Sequence, residues 1–193
     1  MTTPSFQQLL STDSDPALRQ QILGYAMTEL MTDRERADFL GLPDGCRMRE
    51  RAKILCPQKF ECGKNVWIGE GAVLDAQGGL SIGDETQIGL GVMVWSHSSH
   101  HQALKGETGS SRGRIIYKPT KIGSCCFIAG PSVILPGVTI GNGVLIPPMS
   151  VVGEDLPDGT IFKDPRRDLK KLQNKVESLE RRIEELLTRL PPS

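Results

Sequence analysis

Three histidines, His97, His100 and His101, fall within five residues of one another, and the chain contains no others. Imidazole is the side chain whose ordinary charge change lies closest to neutral pH, so a histidine held near a hydroxyl or an amine can take its proton and make it a nucleophile. The competing reading is a polar loop whose histidines are simply solvated. A zinc site is not expected: the five cysteines lack the paired spacing such sites use, and Cys125 and Cys126 are adjacent.

The elements that must position these histidines are legible on either side of them. From Ile122 an aliphatic residue recurs every six residues through Ile128, Ile134, Ile140, Ile146 and Val152. Neither a helix nor a flat strand keeps that period; a short strand followed by a corner does, and such units stack into a solenoid. Four residues after each aliphatic stands a compact residue, Cys126, Ser132, Val138, Val144 or Ser150, with Leu156 the bulky exception. The same period runs earlier through Cys56, Cys62, Ile68 and Leu74, and again through Ile82, Ile88 and Val94. Two phase breaks result. Leu80 and Ser81 read as a local bulge, whereas the polar stretch of about residues 96–120, which opens with the histidines, is a true insertion. Long loops without periodicity of their own are more often functional than ornamental.

The repeats, with Pro136 to Gly141, Ser150 to Val152 and the Pro165 to Arg167 tail, resemble the hexapeptide-repeat acyltransferases, and within them the galactoside, maltose and polysaccharide O-acetyltransferase type. The resemblance covers roughly residues 54–167 and implies a mainly β fold, a left-handed parallel β-helix. It implies acetyl-CoA as acyl donor, no metal, a sugar acceptor and a homotrimer. By the same match the segment His97-Ser98-Ser99-His100-His101 supplies the catalytic base, with His97 first in line, His100 second and His101 near the acceptor. Asp75 stands where the family shows an aspartate and is the candidate partner of the base; facing solvent beside Leu74 is its other reading, and Glu70 and Glu85 are weaker options. Trp95 could stack on a sugar face or pack against the next coil.

Positions matching the family's coenzyme contacts are Ala129, Gly130, Pro148 and Gly153, with Arg166 and Arg167 toward the nucleotide phosphates. Two departures stand out. Pro147-Pro148-Met149 replaces a stretch that gives backbone N–H groups to the pantetheine arm, and Glu154 replaces a lysine. Three functions compete on this resemblance: sugar O-acetylation in surface polysaccharide biosynthesis, N-acetylation of a nucleotide-linked amino sugar, and a non-catalytic β-helix assembly protein. The γ-carbonic anhydrase type of β-helix draws its histidines from separated positions, unlike the cluster here.

Composition bounds the rest. With 193 residues and no formal net charge, nothing supports nucleic-acid binding through a basic face. No run approaches the length of a membrane helix and no signal-peptide pattern opens the chain, so the expectation is cytoplasmic. Residues 1–53 read as a helical cap, with helical spacing in Phe6 to Leu10, Ala17 to Leu30 and Arg34 to Leu40, and Arg47, Arg49, Arg51 and Lys53 as a solvated alternating edge. Residues 54–164 form the β-helix. Over residues 165–193, Leu169, Leu172, Val176, Leu179, Ile183, Leu186 and Leu190 alternate at three and four residues, a coiled-coil seam flanked by Lys175 and Glu180.

Overall fold

The computed structural model describes residues 28–106, 115–163 and 165–187, so the expected helices of Phe6 to Leu10 and Ala17 to Met27 lie outside the described residues. The chain divides into two compact units, Met1–Phe162 and Lys163–Ser193.

The first unit is a parallel β-solenoid of three ladders. One ladder stacks Arg47–Met48, Trp67–Ile68, Gln87–Ile88, Phe127–Ile128 and Leu145–Ile146. The second stacks Lys53–Leu55, Val73–Asp75, Met93–Val94, Val133–Ile134 and Val151–Val152. The third stacks Phe60–Cys62, Leu80–Ile82, Thr120–Ile122 and Thr139–Ile140. Two-residue strands cannot stand alone; each is held by the coils above and below, whose carbonyls take its N–H groups.

The six-residue period is the inward set. Ile68, Leu74, Ile88, Val94, Ile128, Ile134, Ile146 and Val152 are fully enclosed, and Ile82, Ile122 and Ile140 nearly so. Burying each such side chain contributes roughly 1.5–3 kcal/mol before entropy is counted. The compact residues turn inward at the corners. Their hydroxyls satisfy carbonyls that the bend leaves unpaired: Ser132 Oγ donates to Ala129 O at 2.6 Å and Ser150 Oγ to Pro147 O at 2.6 Å. At one corner the coils approach so closely that a Cβ on Gly83 would lie 2.6 Å from the backbone nitrogen of Ser124, so glycine is required there.

Three details differ from the sequence reading. The ladders begin at Arg47, because Met48 and Ile54 already occupy inward slots, both within 2% exposure. Cys56 is not in the inward row: it sits at φ 56° at the start of the 3-10 turn Pro57–Lys59, and Ile54 holds the slot. Leu80 and Ser81 are not a bulge but strand residues of the third ladder, paired with Phe60 and Glu61; the extra chain is the turn just before, at Gln77 to Gly79. The arginine edge is solvated as expected, with Arg49 paired to Glu50 at 3.1 Å.

The helix Asp33–Phe39 precedes the first coil, capped by Thr32 and Glu35 in a reciprocal box. Its Arg36 is buried and donates to Met48 O at 2.7 Å, tying the helix to the first strand. The second unit holds the helix Pro165–Leu187, whose seam residues from Leu169 to Leu186 are each 52–57% exposed. Among the described residues no helix is long and apolar enough to cross a membrane.

Candidate active site

Every interruption of the six-residue period falls on one corner, between the second and third ladders. The steps from Ile54 to Cys62, from Leu74 to Ile82 and from Val94 to Ile122 all span it, carrying the turn Pro57–Lys59, the turn at Gln77 to Gly79 and the long insertion. Stacking therefore concentrates the irregular chain of three successive coils in one place. Loops set on a rigid scaffold in this way are where chemistry is usually placed.

Asp75 and His97 meet there. Asp75 ends the strand Val73–Asp75, and its side chain is fully buried. Its Oδ2 lies 2.6 Å from His97 Nδ1 and also accepts the backbone N–H of Ser96 at 2.9 Å and of His97 at 3.0 Å. Its Oδ1 accepts from Gln77 N at 3.1 Å. Backbone N–H groups can only donate, so Oδ2 is an acceptor and the ring nitrogen facing it, Nδ1, is the donor, while Nε2 is the ring nitrogen that Asp75 does not engage. The alternative in which Asp75 faces solvent is excluded by its burial.

The surroundings hold that geometry. Ser96 is buried and its Oγ accepts from Gly78 N at 2.8 Å, while its carbonyl takes Lys118 N at 2.8 Å. Thr120, also buried, donates to Trp95 O at 2.7 Å and accepts from Gly137 N at 3.1 Å. The insertion leaves and returns as a two-stranded ribbon in which His97 pairs with Tyr117 and Ser98 with Ile116. The Tyr117 ring lies 6.2 Å from the His97 ring at 26°, and the Trp95 ring 6.3 Å away, edge-on at 65°. The His97 side chain is 17% exposed, reachable from solvent yet fixed. Neither Ser96, Thr120 nor Tyr117 announced itself in the sequence; only the insertion's boundaries pointed toward them.

The other histidines are placed differently. His100 and His101 begin the short helix His100–Leu104, both exposed, with rings 4.1 Å apart. His100 Nδ1 is bonded to Ser98 Oγ at 2.7 Å and has no carboxylate beside it among the described residues. Glu85 accepts from Asn65 at 2.6 Å on a different corner, and Glu70 stands on the corner leading into the second ladder. Trp95 is half-buried, compatible with either of its readings.

The coenzyme candidates separate into two groups. Gly153 follows Val152 on the His97 corner, in the column of Trp95 and Leu135, whose N–H groups bond to Ile134 O and Val152 O in turn. Ala129, Gly130 and Pro148 lie at the opposite edge of the second ladder, on the corner entering it. The Ala129 N–H is already given to Ile146 O at 2.8 Å, whereas those of Gly130 and Gly153 have no acceptor among the described residues. Arg166 and Arg167 are in the first turn of the C-terminal helix, and their side chains lie outside the described residues.

The first unit is thus a parallel β-solenoid built on a six-residue repeat, with a carboxylate-held histidine at the mouth of a long insertion. The chain is 29% identical over 116 residues to the putative colanic acid biosynthesis acetyltransferase of Escherichia coli, and 30% identical over 122 residues to the galactoside O-acetyltransferase of the same organism. It spans 60% and 56% of their respective lengths, and the matched stretches are 60% and 58% of this chain. A maltose O-acetyltransferase from Clostridium difficile shares the fold with a TM-score of 0.54 at 23% identity, over 79% of this chain and 82% of that one. AntD, an N-acyltransferase from Bacillus cereus in complex with dTDP and 3-hydroxybutyryl-CoA, does so with a TM-score of 0.53 at 21% identity, over 78% and 100%. No family model matches the chain. Both curated relatives are named acetyltransferases.

Proposed function

We propose that this protein transfers an acetyl group from acetyl-CoA to a hydroxyl of a sugar, in the building or modification of a surface polysaccharide, with His97 as general base and Asp75 as the residue that orients it. The observation that carries the reading is the 2.6 Å contact between the buried Asp75 carboxylate and His97 Nδ1. It presents Nε2 as the acceptor of the sugar hydroxyl proton; the alkoxide oxygen then attacks the thioester carbonyl, CoA leaves as the thiolate, and the imidazolium proton is available to it. The names of the two curated relatives support acetyl transfer, one to a galactoside and one in colanic acid biosynthesis.

The N–H groups of Gly130 and Gly153, which have no acceptor among the described residues, suit a pantetheine arm, and Pro148 has no N–H to give. We assign Trp95, whose ring lies 6.3 Å from that of His97, and His101 to the acceptor side. Self-association as a homotrimer accords with the apolar outward row Val73, Met93, Val133 and Val151 and with the exposed seam of the C-terminal helix. In a parallel coil Lys175 of one helix would face Glu180 of the next, an attractive pair that antiparallel packing would lose.

The test is isothermal titration of the protein with acetyl-CoA, followed by an acceptor screen that follows thiol release. Saturable binding of about one acetyl-CoA per chain and turnover on a sugar hydroxyl are expected. Failure to bind acetyl-CoA overturns the reading; turnover only on an amino sugar replaces the hydroxyl with an amine.

A further inference from the structure

A second concave site lies on the first ladder's outer face, away from the His97 corner. Register stacks the outward residues Arg47, Trp67 and Gln87 in a row along the solenoid. Beside them Asn65 and Glu85 occupy equivalent positions of successive coils, joined by a 2.6 Å hydrogen bond from Asn65 Nδ2 to Glu85 Oε1. Asn65 also lies over Gly45, where a Cβ would collide with its amide oxygen. Arg34 and Asp38, from the helix Asp33–Phe39, complete a groove of about 660 Å³.

Planar polar groups predominate in this lining. Around one tryptophan, six of the side chains end in a flat guanidinium, carboxylate or carboxamide, and the seventh is the buried thiol of Cys46. Such planar groups bond paired hydroxyls with two atoms at once, and an indole face covers the apolar face of a sugar ring. Two guanidinium and two carboxylate groups balance, which suits an uncharged ligand. Among the described residues the side chains of Arg34, Asp38, Trp67 and Gln87 have no hydrogen-bond or ion-pair partner, so a ligand need not displace an existing contact to reach them. The rows repeat at the spacing of a parallel ladder, about 4.8 Å, comparable to the length of one pyranose unit.

We infer that this groove binds a neutral oligosaccharide, with Trp67 stacked on one ring and Gln87, Arg34 and Asp38 bonding its hydroxyls. It would hold a glycan at a distance from the reacting corner, and it does not depend on the acetyl-transfer reading.

The experiment is isothermal titration of the full chain with maltohexaose, cellohexaose and a β-1,4-linked galactohexaose, in the wild type and in Trp67→Ala, Trp67→Phe and Gln87→Ala. Saturable binding of at least one of the three is expected, weakened at least tenfold in Trp67→Ala and several-fold in Gln87→Ala, and largely kept in Trp67→Phe. The phenylalanine variant and circular dichroism separate a lost site from a lost fold. Absence of binding by all three glycans overturns the inference, as does binding that survives Trp67→Ala unchanged, which would place the glycan elsewhere.

Discussion

Asp75 and His97 stand 22 residues apart in sequence, yet the carboxylate of one is 2.6 Å from the imidazole of the other and simultaneously accepts its backbone N–H. The same oxygen therefore fixes both the main chain at which the insertion departs and the ring orientation of the candidate base.

That double role sets the first prediction. His97→Ala should lower acetyl transfer by roughly 10²–10⁴-fold, the usual contribution of a general base, with the fold unchanged by circular dichroism. His100→Ala should change it little, since His100 is exposed and bonded only to Ser98. Loss of activity in His100→Ala with retention in His97→Ala would reverse the assignment.

Asp75→Asn keeps the shape but loses the carboxylate. The amide oxygen would take the Oδ2 position, where two backbone N–H groups need an acceptor, so the ring keeps its proton on Nδ1 but loses the negative charge that stabilises the imidazolium formed when the base takes a proton. The turnover number should fall at least tenfold while the affinity for acetyl-CoA, measured by titration, stays within a few-fold.

Thr120→Val tests the scaffold. Its hydroxyl satisfies both Trp95 O and Gly137 N in a fully buried position, and an isosteric methyl leaves both backbone groups unpaired. Stability measured by urea unfolding should drop by about 1–3 kcal/mol for each group left unsatisfied.

Glu50 carries a pH prediction. The side-chain hydrogen bond from Arg49 holds its carboxyl at about 2, below the ordinary 4.5. A lowered pKa contributes stability above the unfolded value and loses it as pH falls through the folded one. The difference in urea midpoint between wild type and Glu50→Gln should be present at pH 7, shrink between pH 4.5 and about 2, and stay small throughout because the pair is exposed. A difference that grows on acidification would contradict the pairing.

Deleting residues 169–193 tests the exposed seam. Ladders and core lie within Met1–Phe162, so thermal unfolding of the β-solenoid should persist. Sedimentation velocity should show weaker self-association if the helices pair with one another, since a helix of this length is marginal alone.

Much of the architecture was legible because a solenoid writes its period directly into the chain: each inward slot needs an aliphatic, and slots recur at fixed separation. What misled was local. Cys56 falls on the count but sits at a corner, because the count slips by two across the turn Pro57–Lys59 and Ile54 takes the slot instead. Leu80 and Ser81 counted as surplus, although the surplus lies at Gln77 to Gly79, where a turn absorbs residues without disturbing the ladder.

The sequence by itself determined the stacked coils, the place of the insertion and the histidine cluster, since these follow from hydrophobic spacing and composition along one chain. Tertiary structure decided which histidine meets a carboxylate, that Asp75 is enclosed rather than solvated, and that Trp67 shares a groove with Arg34 and Gln87. Those outcomes depend on which coil lies over which, and stacking register joins residues whose separation in sequence carries no sign of their contact.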